Sequence, residues 1–167
     1  LKKESSFVLI STGIFVFFFL LSFFFTVMDE KYALSFVPAE YIESIKGNSG
    51  QAVSINYSVA SVAIFTNNIR VGILAFALGI TFGIGTVYVL ATNGLLLGAL
   101  AAVAFNSGHS YSFWSLITPH GVPELFCIFV CGGAGLLIAR SMLFPKTQSR
   151  RSSFVNGGKK AVFLLLG

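Results

Sequence analysis

Apolar residues run from Phe7 to Met28, 22 positions without a charge, between Lys2, Lys3 and Glu4 on one side and Asp29, Glu30 and Lys31 on the other. About 20 mainly apolar residues suffice for a helix to cross a bilayer, so 7–28 predicts a first span. The run exceeds a signal-peptide core of roughly 7–15 residues, and no small-residue cleavage pattern follows it. A second charge-free stretch, Val71 to Pro123, is 53 residues long, too long for one crossing and suited to two. The turn dipeptide Asn93-Gly94 divides it, which predicts spans over 70–91 and 94–107. A last apolar run predicts a span over 123–144, closed by Pro145.

The segments between these runs read differently. Residues 29–66 regain charge. Pro38 can open a short helix with Tyr41, Ile42 and Ile45 on one face and Glu40 and Glu43 turned away. Gly47-Asn-Ser-Gly50 is a turn signal. From Ile55 to Phe65, Ile55, Val59, Val62 and Ala63 oppose Asn56, Ser58 and Ser61, as in a helix lying in the membrane interface; a cap packed on the spans fits the same pattern. Residues 108–122 hold a short apolar stretch beside Thr118-Pro-His-Gly-Val-Pro123, where two prolines break helical hydrogen bonding. This predicts a broken or re-entrant helix near 107–122.

Composition agrees. The chain of 167 residues is 55% hydrophobic and only 10% charged, against about 25% charged in soluble domains. Disorder is excluded by 19 Phe and long aliphatic runs, and a disulfide scaffold by a cysteine count of two. The fold class is therefore an all-α membrane protein, a polytopic helical bundle with four spans and interfacial helices in 29–66. Lys2, Lys3, Arg140, Lys146, Arg150, Arg151, Lys159 and Lys160 fall on one side against Glu4 alone. Lys31, Lys46 and Arg70 fall on the other against Asp29, Glu30, Glu40, Glu43 and Glu124. The positive-inside bias then puts the N-terminus and a basic loop, 145–160, in the cytoplasm and 29–66 outside a cytoplasmic membrane. The excess of basic residues speaks for topology and headgroup contact rather than nucleic acid. Leu1 at the start and a renewed apolar run over 161–167 lead us to expect a piece of a longer protein, with a further span beginning at its end.

Small residues mark candidate helix contacts. Gly79 and Gly83, Gly94 and Gly98, and Gly132, Gly133 and Gly135 permit close backbone approach within the bundle or across a homodimer seam. Cys127 and Cys131 share one helical face and are poorly aimed for a disulfide. Asn67, Asn68 and Arg70 open the second span, and His120 and Glu124, four apart, open the last. Only about 22 Å of helix separates Glu124 from Arg140, which draws the carboxylate into the bilayer, where it needs a partner. Matched depth and opposite charge make Arg70 the expected partner, with His120 and the Asn amides completing the network. The group reads as a structural clamp or as a solute or ion site reaching Asn93. A metal held by His120, Glu124 and His109 is the weaker reading, since two or three ligands are incomplete and no HExxH or CxxC accompanies them. Asp29 is the single Asp, so no aspartyl pair exists, and no GxSxG elbow is present. Serines such as Ser107 or Ser115 beside His120 carry no distinguishing signal. No phosphate loop or other cofactor motif appears.

Phe65-Thr-Asn-Asn-Ile-Arg70, Phe76-x-x-Gly79 with Gly83, Asn93-Gly94 with Leu97-Gly98, Pro119-His-Gly-x-x-Glu124-Leu and Gly132-Gly-x-Gly135 occur in that order. This ordered set resembles the stage II sporulation protein M family over about 60–145, with residues 1–59 similar in layout only. The resemblance implies a multi-pass membrane scaffold that acts with SpoIID- and SpoIIP-type peptidoglycan-remodelling proteins during engulfment or a related envelope process, and is not itself the hydrolase. Asn67, Asn68, Asn93, His120 and Glu124 match the family pattern without an assigned role. The alternative from another class is a small-solute or ion transport component built on the broken helix.

Overall fold

A computed structural model describes residues 4–47, 57–145 and 149–166; within its helices the side chains at 44, 57–61, 63, 116, 120 and 150 fall outside the description. All the regular structure described is helical: α1 (Ser5–Met28), a 3-10 turn (Glu30–Ser35), α2 (Ala39–Lys46), α3 (Tyr57–Ala77) with a 3-10 extension (Leu78–Ile80), α4 (Ile84–Asn106), α5 (Ser110–Leu143) and α6 (Arg150–Leu166). Among the described residues, three stretches are long and apolar enough to cross a membrane, Ser5–Met28, Ile84–Asn106 and Gly121–Leu143, and Ile64–Ile80 is a shorter apolar one. Phe17, Phe24, Phe25, Ile73, Ile84 and Phe126 are exposed, an outer surface that suits hydrocarbon and not water.

Several expected boundaries move. The turn at Asn93-Gly94 is absent, because α4 runs through both residues; the chain instead reverses at Thr81–Gly83. There Phe82 (φ 55°) and Gly83 (φ 86°) adopt left-handed backbone, a conformation open to glycine and strained for phenylalanine. Thr81 closes the corner by donating to the Leu78 carbonyl (2.6 Å) and accepting from the Gly85 amide (2.9 Å). The break expected near 107–122 narrows to Ser107–His109, with Gly108 at φ 75°. α5 then continues through Pro119 and Pro123: the amides those prolines lack cost two rungs of the helix without ending it. Ile64–Phe65 belongs to α3, whose helix begins at Tyr57, so the separate interfacial helix expected over 55–65 merges with the next element; Ile55, Asn56 and residues 48–50 lie outside the described residues. The basic 145–160 segment is helical from Arg150 and continuous with the apolar run at its end.

The chain forms two compact units. The first comprises Leu1–Ile14, Thr66–Leu90 and Pro123–Gly167 and is built on the glycines of α5. A side chain at Gly132 would strike Ser11 of α1 and Leu90 of α4, one at Gly133 the Phe7–Val8 backbone, and one at Gly135 the Ala75 carbonyl and Thr86. Gly79 lies against the Gly135 backbone in the same way. Three glycines within one turn of α5 thus receive the backbones of α1 and α3 and the Leu90 and Thr86 side chains of α4, as close packing in lipid requires. Thr86 donates to the Ala75 carbonyl at 2.8 Å, tying α4 to α3. Val71, Ala75, Val89, Leu90 and Ile128 fill the space between. α6 folds back along α5: Ser153 donates to the Ser141 carbonyl (2.6 Å), Gly157 meets Ser141, and Ala161 packs with Ala134, Leu137 and Ile138.

The second unit comprises Phe15–Phe65 and Ala91–Val122. Gly94 and Gly98 let α4 lie on the backbone of Phe15–Phe19, and Asn106 donates to the Thr26 carbonyl at 3.3 Å. α1 and α4 therefore run parallel here. Asp29 caps the 3-10 turn by accepting from the Lys31 amide. Ala33, Val37 and Ile42 pack on Ala99 and Val103 of α4, with Phe36 and Ile45 around them, and Lys46 pairs with Glu30. Ile42 and Ile45 thus lie inward as the pattern predicts, but Tyr41 is exposed, since α2 presents too narrow a face to bury all three.

Candidate functional site

The polar residues of interest sit on α3 and α5, which run parallel in the first unit. Residues 68, 72, 75 and 79 fall on one helical stripe and meet α5 in sequence: Asn68 at Glu124, Gly72 at Cys131, Ala75 and Gly79 at Gly135. At the head of this seam Asn68 Nδ2 donates to Glu124 Oε2 at 2.5 Å, and both residues are half-buried. The seam explains why the expected Arg70–Glu124 ion pair does not form. Two residues along a helix is a rotation of about 200°, so Arg70 points away from α5 and is exposed, as is Asn67. The carboxylate is held by a neutral amide, and no ion pair joins it to Arg70.

Asn93 lies half-buried in α4 and belongs to the second unit, as do His109, exposed in the α4–α5 corner, and His120, whose side chain is outside the described set. Among the described residues, no three of His, Cys, Asp and Glu gather as a metal would need. Cys127 and Cys131 are free thiols. A groove of about 310 Å³ is lined by Phe82, Gly83, Ile84, Val87 and Leu136 and contributes no polar side chain for a solute.

Sequence reasoning missed a polar stripe on α1. Ser11, Ser22 and Thr26 are fully buried, and their hydroxyls find no partner among the described residues. The signal was present, since positions 11, 15, 22 and 26 of an otherwise Phe-rich run share one face, but small hydroxyl residues inside an apolar run read equally as packing. Of these, Ser11 is the thin residue that lies against Gly132.

Helices long and apolar enough to cross a bilayer, joined through glycine faces and bearing one carboxylate–amide pair, define a polytopic α-helical membrane protein. Residues 6–167 match the family model for stage II sporulation protein M, and the chain belongs to that family. The match takes in α1 and the 29–66 segment as well as the motif-bearing region. No curated protein and no solved structure matches the chain.

Proposed function

We propose that this protein is a multi-pass scaffold of the cytoplasmic membrane that organises peptidoglycan-remodelling partners of the SpoIID and SpoIIP type during engulfment or a related envelope process, without being a hydrolase itself. The observation that carries the reading is membership of the stage II sporulation protein M family over residues 6–167. The transport alternative drew on a helix break at Thr118–Pro123, and α5 is continuous there, so no specific observation now favours it. The charge distribution supports an orientation with 29–66 outside.

The partner surface we assign is the outer face of the 3-10 turn and α2, where Tyr32, Leu34, Glu40 and Glu43 are exposed. Deleting this segment would remove Ala33, Val37 and Ile42 from the core around Ala99 and Val103, so surface substitutions are the cleaner probe. A pull-down from native membranes compares wild type with Tyr32→Ser/Leu34→Ser/Glu40→Gln/Glu43→Gln. Recovery of cell-wall hydrolases by wild type and their loss from the variant, at equal membrane levels, is the expected result. Absence of such partners from both sinks the scaffold reading.

A further inference from the structure

The first unit ends in cations that its own packing leaves unbalanced. α6 meets α5 through Ser153, Gly157 and Ala161, against Ser141, Leu137, Ile138 and Ala134. That register sets Lys160, which is exposed, level with Leu137–Ser141, beside the last turns of the apolar stretch Gly121–Leu143, while Lys159, two residues from both Gly157 and Ala161, is turned away from α5. Arg140 is exposed at the same level, with its guanidinium 5.6 Å from the centre of the Phe7 ring. Phe7 also packs against the cluster of Ala134, Leu137, Ile138 and Ala161, so α1, α5 and α6 converge on this edge. No Asp or Glu follows Glu124 in the sequence, so α6 brings no carboxylate to this edge. Arg140 and Lys160, at the margin of an apolar helix, can lift their charges to the interface, where anionic headgroups lie. Val162 and Phe163, next along α6 and exposed, make this a lipid-facing edge.

We infer that Arg140 and Lys160 form a binding site for the phosphate of an anionic membrane lipid, in the leaflet at this end of the first unit. Arg140 supplies a planar fork of donors matched to phosphate oxygens, and the Phe7 ring steadies it. Lys160 adds charge from the neighbouring helix, as in basic lipid pockets between membrane helices.

The test reconstitutes the whole chain in vesicles of phosphatidylcholine mixed with phosphatidylglycerol, extracts it gently and measures retained lipid by native mass spectrometry. Wild type retains phosphatidylglycerol in preference. Arg140→Gln/Lys160→Gln lowers that preference by tenfold or more, at roughly fivefold per cation, while Arg70→Gln, on the opposite end of this unit, leaves it unchanged. Should the double variant fail to fold, wild type alone decides, because the preference must fall as ionic strength rises. Equal retention of the two lipids by wild type, wild-type preference in the double variant, or preference indifferent to salt overturns the site. So does thermal stabilisation by inorganic phosphate, in phosphatidylcholine alone, equal to that given by phosphatidylglycerol.

Discussion

Asn68 on α3 donates to Glu124 on α5, so the one carboxylate of the last long apolar helix is satisfied by an amide from a neighbouring helix. Removing the amide leaves a half-buried carboxylate with one donor fewer. Hydrogen bonds between membrane helices average about 0.6 kcal/mol and reach roughly 1.7, and orphaning a charged acceptor belongs at the upper end. Asn68→Ala should therefore destabilise by about 1–2 kcal/mol in a reversible unfolding assay in detergent. A double-mutant cycle with Glu124→Gln should return coupling of similar size, whereas Arg70→Gln with Glu124→Gln should return none.

Gly94 and Gly98 give a sharper contrast on the same polypeptide. A side chain at either position runs into the backbone of Phe15–Phe19, while one at Gly13 meets nothing within 4 Å. Overpacking of a close seam costs typically 1–3 kcal/mol. Gly98→Val should lower the melting temperature in detergent clearly, and Gly13→Ala should leave it unchanged or raise it slightly, as a better helix former replaces glycine. Equal effects at the two sites would mean that the α1–α4 contact is not where stability resides.

The α3–α4 corner stores strain that can be released. Phe82 sits at φ 55° with its side chain exposed, and left-handed backbone costs a non-glycine residue roughly 1–2 kcal/mol. Phe82→Gly should raise stability by about 1 kcal/mol. Gly83→Ala should lower it by more, since it combines φ 86° with a new methyl 3.0 Å from the Ala139 side chain. Thermal unfolding of the two single variants beside wild type checks both signs.

What the sequence disclosed, and what it concealed, follows from how membrane helices use their punctuation. Charge-free length set the long helices, because hydrocarbon demands it, and α1 differs from its expected bounds by two residues at its start. Punctuation misled where one residue type serves two purposes. Gly94 follows Asn93 as turns do, yet its missing side chain serves contact with α1. Gly83 reads as half of a packing pair, yet its left-handed backbone makes the turn. Pro119 and Pro123 suggest a break, but the neighbouring rungs of α5 persist. The clamp was half legible: depth pointed to Glu124 and to the 67–70 stretch, while charge complementarity favoured Arg70 over the residue that the helical rotation turns toward α5. The hydroxyls of α1 carried no signal apart from their shared face.

The seam between α6 and α5 rests on small residues, so bulk there should release α6 without unfolding the rest. Ser153, Gly157 and Ala161 are buried at steps of four, and a side chain at Gly157 would collide with that of Ser141. Gly157→Leu should part the two helices locally, with the contacts of α1, α3 and α4 around Gly132–Gly135 intact. Amide hydrogen exchange is the measurement: protection should fall over 153–164 and stay at wild-type level over 84–90 and 128–136. Ser153→Ala, which loses one hydrogen bond to the Ser141 carbonyl but adds no bulk, should produce a weaker version of the same pattern. Loss of protection spread evenly over all helices in Gly157→Leu would show instead that α6 is part of the cooperative core.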